Sequence, residues 1–208
     1  MSPERSSRLF RAEEEDLPLR NGYFSELIQS IFLRDLDAKC KPVMFTSPSP
    51  GAGVSFTCSC IVTDLAGIGH KVLLADAQTL VRLARRPAEE ALLKAERIDM
   101  TRLWVLGQRQ MGARVLDERF TPSSVSSVLA ALCDEFTHIV IDAPALSASD
   151  DAITLAAAVH GTVFVAHRDR TARKELVQAR QRFVSLGGRV LGTIFNARST
   201  DAVGGPDA

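Results

Sequence analysis

The segment Phe45-Thr46-Ser47-Pro48-Ser49-Pro50-Gly51-Ala52-Gly53-Val54-Ser55-Phe56 has the composition of a loop that could hold an anion. A short apolar run ending at Thr46 gives way to small residues, and these lead into the helix-like run Val54–Ile68. At such a strand–loop–helix junction, backbone N–H groups and the helix N-terminus can cradle a phosphate. The usual form, G-x-x-x-x-G-K-[ST], adds a Lys that reaches the β/γ-phosphates and a hydroxyl that binds Mg2+. Gly53 and Ser55 fit that form, whereas Pro48 stands at the first glycine and Val54 at the lysine. Read alone, an ordinary turn between strand and helix explains the loop at least as well.

Two further positions carry the same kind of chemistry. The apolar run Val72-Leu73-Leu74-Ala75 stops at Asp76, and Ile139-Val140-Ile141 stops at Asp142. A carboxylate at the mouth of a parallel sheet can hold Mg2+ directly or through water. It can also cap the next helix. Capping is the simpler reading of either Asp alone; beside a loop like 47–55, the metal reading gains.

These residues need a scaffold that brings them together. Strand-like and helix-like runs alternate from Tyr23 onward. Helical spacing marks Tyr23–Arg34, Val54–Ile68, Ala88–Arg97, Ser123–Phe136, Asp151–Val159 and Thr171–Leu186. Short apolar runs mark strands at Val43–Thr46, Val72–Ala75, Leu103–Leu106, Ile139–Ile141, Thr162–Ala166 and Val190–Phe195. The strands are continuously apolar rather than alternating, as a sheet buried on both faces requires. The fold expected is α/β: a mostly parallel central sheet with helices on both faces. Such folds bind ligands beyond the C-terminal ends of their strands, where the loop and both Asp residues stand.

Thr46-Ser47, Gly51-Ala52-Gly53-Val54-Ser55, Gly69–Asp76, Ile139–Pro144 and Leu191–Asn196 occur in the order found in one known group. Over roughly Tyr23 to Asn196 the chain resembles the ATPase domain of bacterial tyrosine kinases (BY-kinases), within the Min/Par-type P-loop ATPases. The resemblance implies a P-loop NTPase-like fold of Min/Par type. It implies a nucleotide site made by Ser47, Pro50, Gly51, Ala52, Gly53, Val54, Ser55 and Phe56, with Asn196 at the adenine base. It also implies Mg2+ held by Ser55, Asp76 and Asp142, the last two being the Walker A′ and Walker B acids.

The chain departs from that family at the residues that carry charge. The BY-kinase loop reads P-G-E-G-K-S, and here it is Pro50-Gly51-Ala52-Gly53-Val54-Ser55. The signature Lys of the Min/Par branch falls at Ser49, and the family's D-A-D becomes Asp76-Ala77-Gln78. The subunit-docking E-x-x-R-x-x-R becomes Glu26, Gln29 and Phe32, and Tyr23 is the only Tyr. The expectation is therefore a catalytically impaired relative with no catalytic residues of its own, binding ATP or ADP with Mg2+ weakly. It would serve as a regulatory or scaffolding partner in exopolysaccharide or capsule synthesis. Its partner would be the cytoplasmic segment of a membrane polysaccharide co-polymerase, or a kinase paralogue. The alternatives are an active ATPase or kinase that borrows a cation, with Arg82–Arg86 as the nearest candidates, and a Par/Min-like positioning protein. Missing docking arginines point to a monomer or small oligomer rather than a ring.

Composition narrows the remaining choices. The chain has 208 residues, 46% hydrophobic and 24% charged, with Lys+Arg 25 against Asp+Glu 25. That is ordinary for a globular domain, and a neutral balance argues against a general pull on nucleic acid. The basic run 167–182 reads mainly as a solvated helix face. Cys40, Cys58, Cys60 and Cys133 form no CxxC pair and read as small buried thiols in a reducing compartment. His138, His160 and His167 read as satisfied structural residues, Trp104 as core, and Asp150 and Asp151 as caps. Residues 1–20 read as a mobile arm, 21–198 as the domain and 199–208 as a disordered tail. No stretch suits a signal peptide or a bilayer span, so the location expected is cytoplasmic, peripheral at the inner membrane only through a partner.

Overall fold

A computed structural model describes residues 24–33, 40–84, 89–98, 101–107 and 122–197. The arm 1–20, Tyr23, Arg85, Arg86 and the tail 199–208 lie outside the described residues.

Among the described residues seven strands form one sheet: β1 (Lys41–Thr46), β2 (Val72–Asp76), β3 (Glu96–Arg97), β4 (Leu103–Leu106), β5 (His138–Asp142), β6 (Gly161–His167) and β7 (Val190–Asn196). Their order is β3-β4-β2-β5-β1-β6-β7. Every pairing is parallel except β3 with β4. The helices are α1 (Ser25–Ile28), which continues as a π turn over Gln29–Leu33, then α2 (Val54–Gly67), α3 (Ala77–Leu83), α4 (Glu89–Lys94), α5 (Pro122–Glu135), α6 (Asp151–Leu155) and α7 (Arg173–Ser185). The α/β fold expected from the continuous apolar strands is the one observed.

The sheet separates two cores. On one face Val43, Phe45, Val72, Leu74, Val140, Val163 and Val165 pack with Ile28, Phe32, Ile61 and Leu65 of α1, its π turn and α2. On the other, Met44, Leu73, Ile139, Ile141 and Phe164 pack with side chains of α3, α5, α6 and α7. Interior strands β1 and β6 are buried at every position, whereas the edge strand β7 is not. Burial at two or three kcal/mol per large apolar side chain makes these two layers the main source of stability.

Several local expectations need correction. Helix Ala88–Arg97 stops at Lys94, and Glu96-Arg97 instead form the antiparallel edge strand β3. Residues 77–83, assigned to no element from the sequence, form α3, which Asp76 caps through Thr79. Trp104 is half-buried rather than core, with Lys71 Nζ 5.3 Å and Arg97 Cζ 5.2 Å from its ring. Asp150 makes no capping hydrogen bond and pairs with Arg182; the Asp151 N–H is capped by Ser149 Oγ instead. His138 is not satisfied: it is buried, and neither ring nitrogen has a hydrogen-bond partner among the described residues. His167 uses Nδ1 to accept from the Asp169 N–H, while its buried Nε2 has no partner among the described residues. Cys40 and Cys133, distant in sequence, lie beside each other.

Candidate functional site

The loop from Ser47 to Gly53 joins β1, near the middle of the sheet, to the N-terminus of α2. It is held from below by backbone bonds to the segment after β5. Ala143 N–H donates to Phe45 O, Leu146 N–H to Ser47 O and Ser147 N–H to Pro48 O. Thr46 Oγ1 donates to Pro144 O at 2.7 Å, and Ser47 Oγ donates to Ser49 O at 2.8 Å. Gly51 and Gly53 both have left-handed backbones, with φ of +85° and +84°. Gly53 is the N-cap of α2, so this conformation turns the chain into the helix.

Asn196, at the end of β7, donates from Nδ2 to Ala52 O at 3.1 Å. A Cβ at position 53 would collide with that same amide. Gly53→Ala is therefore expected to lower stability by about 1–2 kcal/mol, through a strained left-handed residue and a displaced Asn196. Chemical denaturation measures it; an unchanged midpoint would mean the loop relaxes freely.

Ser55 and both strand-end acids come together. Asp76 and Asp142 are register partners on adjacent strands β2 and β5, and the Ser55 side chain lies close enough to Asp142 to act on its carboxyl. Burial pushes the Asp142 carboxyl up to about 6; Ser55 pulls it down, and the neighbouring Asp76 charge raises it further. Asp76 caps α3: its Oδ2 accepts from the Thr79 N–H and Oγ1, at 2.9 and 2.7 Å, and its charge reaches Asp142. A buried carboxylate beside another carboxylate and a hydroxyl is a donor set that a hard divalent cation would neutralise. No cluster of three or more His, Cys, Asp or Glu exists among the described residues. Mg2+ here would need ligands from water or from a bound phosphate, which is its habit.

Val54 is the first residue of α2, half-buried against the apolar cluster on that face. Pro50 and Gly51 lie at the exposed tip of the loop, while Ala52 is buried beneath it. Phe56, 38% exposed, lines an open hollow of about 580 Å3 between α1, α2 and the end of β7. Phe24, Leu27, Ser30, Ile194 and Asn196 share that hollow. Its link to the loop runs through Asn196, and no short sequence signal announces it. A second unforeseen contact comes from α7: Glu175 Oε2 accepts from Ser49 Oγ at 3.3 Å. Arg82 lies in the last turn of α3, at the helix end away from Asp76.

No family model matches the chain. Among curated proteins it is 24% identical to the tyrosine-protein kinase YwqD of Bacillus subtilis, over 93% of this chain and 89% of that one. It is 21% identical to the putative tyrosine-protein kinase CapB of Staphylococcus aureus, over 86% and 84%. Among solved structures, the kinase domain of the Escherichia coli tyrosine kinase ETK matches with a TM-score of 0.64 at 19% identity, covering 88% of this chain and 78% of that one. The septum site-determining protein MinD of Pyrococcus horikoshii, solved with Mg-ADP, matches at 0.57 and 18% identity over 77% and 72%. The structural matches establish the fold, and the curated relatives carry the tyrosine-kinase names.

Proposed function

We propose that this chain, a member of the bacterial tyrosine-kinase and Min/Par group of P-loop proteins, keeps a cradle for Mg-nucleotide but not the means to turn it over. One observation carries the reading. Glycine geometry, helix N-terminus, Ser55 and both acids stand together, yet Val54 occupies the first helical position where the family has its Lys. Phosphoryl transfer is catalysed mainly by positioning and by cations that neutralise the moving charge. Loss of one such cation at about 10³-fold corresponds to about 4 kcal/mol of barrier.

The fit to nucleotide is physical. The N–H groups of the first turn of α2 carry partial positive charge toward a phosphate. Ser55 and Asp142 would hold Mg2+, with Asp76 acting through water. The hollow beside Asn196, flanked by Phe56 and Phe24, suits a flat base. Binding would be weak, because Val54 offers no counter-charge.

In this reading the protein is a regulatory or scaffolding element of capsule or exopolysaccharide synthesis. Its partner is the cytoplasmic segment of a membrane polysaccharide co-polymerase, or a competent kinase paralogue. No helix among the described residues is long and apolar enough to cross a membrane.

Calorimetry with Mg-ATP and Mg-ADP tests the cradle. Weak heats that vanish in Ser55→Ala are expected; micromolar or tighter affinity would contradict the loss of charge. Phosphate release and anti-phosphotyrosine blotting test turnover. Protein purified away from other kinases is expected to show neither, and phosphotyrosine at Tyr23 would overturn the assignment.

A further inference from the structure

The outer flank of α7 and the edge of β7 that pairs with no described strand form one surface beside the proposed cradle, touching its hollow only at Phe195. Contacts fix the rotation of α7. Glu175 reaches Ser49, and Arg182 Nη2 donates to Asp150 Oδ1 at 3.2 Å, so one flank faces the loop and α6. Phe183 points into the sheet, where its ring meets Phe164. At 3.6 residues per turn, Arg173, Val177, Arg180 and Val184 then align along the opposite flank, on the side of β7. Val177 and Val184 are 46% and 50% exposed.

Among the described residues β7 pairs only with β6. The Asn196 carbonyl accepts from the Arg168 N–H, so Asn196 turns its backbone polar groups toward β6. Parallel-strand alternation turns those of Thr193 and Phe195 outward, unpaired by β6. Thr193 is the register partner of Phe164 and Phe195 that of Ala166, which places both side chains on the α7 face. Phe195 is 67% exposed. Arg173 and Arg180 are exposed, and neither side chain makes a hydrogen bond or ion pair with another described residue.

An open edge strand is a template for another strand. A second copy of this chain would set Arg173 and Arg180 of one molecule against those of the other, which like-charge repulsion opposes. Nucleic acid has no backbone ladder for a strand edge and gains no stacking from Val177 or Val184. We propose that this surface accepts an acidic, alternately apolar segment of another protein, added as a strand beside β7. Its carboxylates lie against Arg173 and Arg180, and its apolar side chains against Val177, Val184 and Phe195. The surface meets the hollow assigned to the base only at Phe195, which borders both.

The test uses the full chain and a short fluorescein-labelled peptide alternating Glu with Val. Its controls are the same peptide N-methylated along its pairing edge, and a labelled DNA duplex. Saturable anisotropy is expected for the acidic peptide, weakened about tenfold or more by R173E/R180E. The N-methylated peptide should not bind. Hydrogen exchange of 190–197 should be fast at the outward amides of the free protein and slow with peptide. Protection already present in the free protein would mean that the chain itself or a second copy covers the edge. That result, equal binding of the N-methylated peptide, tighter binding of the duplex, or no saturable binding of the acidic peptide would each overturn the proposal.

Discussion

Val54→Lys is expected to strengthen Mg-ATP binding roughly ten- to a hundred-fold. The gain follows from one charge-assisted contact of about 1.5–3 kcal/mol placed at the N-terminus of α2. Position 54 is half-buried, so the methylene stem of Lys can lie on the apolar surface that Val54 covers now, while the ammonium reaches the loop. Val54→Met supplies a comparable stem without charge and should leave affinity unchanged, which separates electrostatics from packing. Turnover should stay low in V54K, because Gln78 still stands where the family places its second acid. Titration with a fluorescent ATP analogue, on protein shown to be folded, reads the effect. Equal, undetectable binding by wild type and V54K would mean that a loop carrying Pro48 and Pro50 no longer opens to a phosphate.

Where burial alone decided the outcome, the sequence was a good guide. Short continuous apolar runs such as Val43–Phe45 and Val163–Ala166 suit strands buried on two faces, and both lie inside the sheet, buried at every position. The meeting of Ser55, Asp76 and Asp142 was legible because all three stand at strand ends or the first helix turn, which a parallel sheet gathers on one side. Less legible was whatever depended on a partner far away in sequence. Asp76 read as either a cap or a metal ligand from its sequence; the structure shows the cap, made by Oδ2 to Thr79, on a residue that also stands beside Asp142. Trp104 sits near the sheet edge under two cations, since only the short β3 lies beyond β4. The Cys40–Cys133 pair and the Glu175–Ser49 contact join separate elements, so no local spacing encodes them. His138 opens β5 with an apolar-looking neighbourhood, and nothing in its sequence context shows that both nitrogens lack partners among the described residues.

His138 and Asp142, at opposite ends of β5, should give the protein two opposed pH dependences that single substitutions expose. Burial holds His138 down to about 4, from 6.5, with His70 and Lys41 adding to the effect. Below pH 6.5 the unfolded chain takes a proton that the folded chain refuses, so acidification toward pH 4 removes stability. Asp142 runs the other way. Its carboxyl lies at about 6 when folded against 3.8 unfolded, so between those values the folded state gains a proton first. Stability from this group therefore rises on acidification and is lost as pH climbs through 6. Each effect amounts to about 2–3 kcal/mol, so between pH 4 and 6 the two largely cancel in the wild type. Asp142→Asn removes one of them: the variant should be more stable than wild type at pH 7.5 without metal, and should lose stability steeply from pH 6.5 to 4. His138→Phe removes the other, keeps an edge-on ring beside Phe32, and should gain stability over the same acid range. Other titrating groups act alike in all three proteins, so differences between denaturation curves isolate these two. Parallel curves for both variants would show that neither group is held in its unfavourable state, and would remove the electrostatic argument that Asp142 stands ready for a cation.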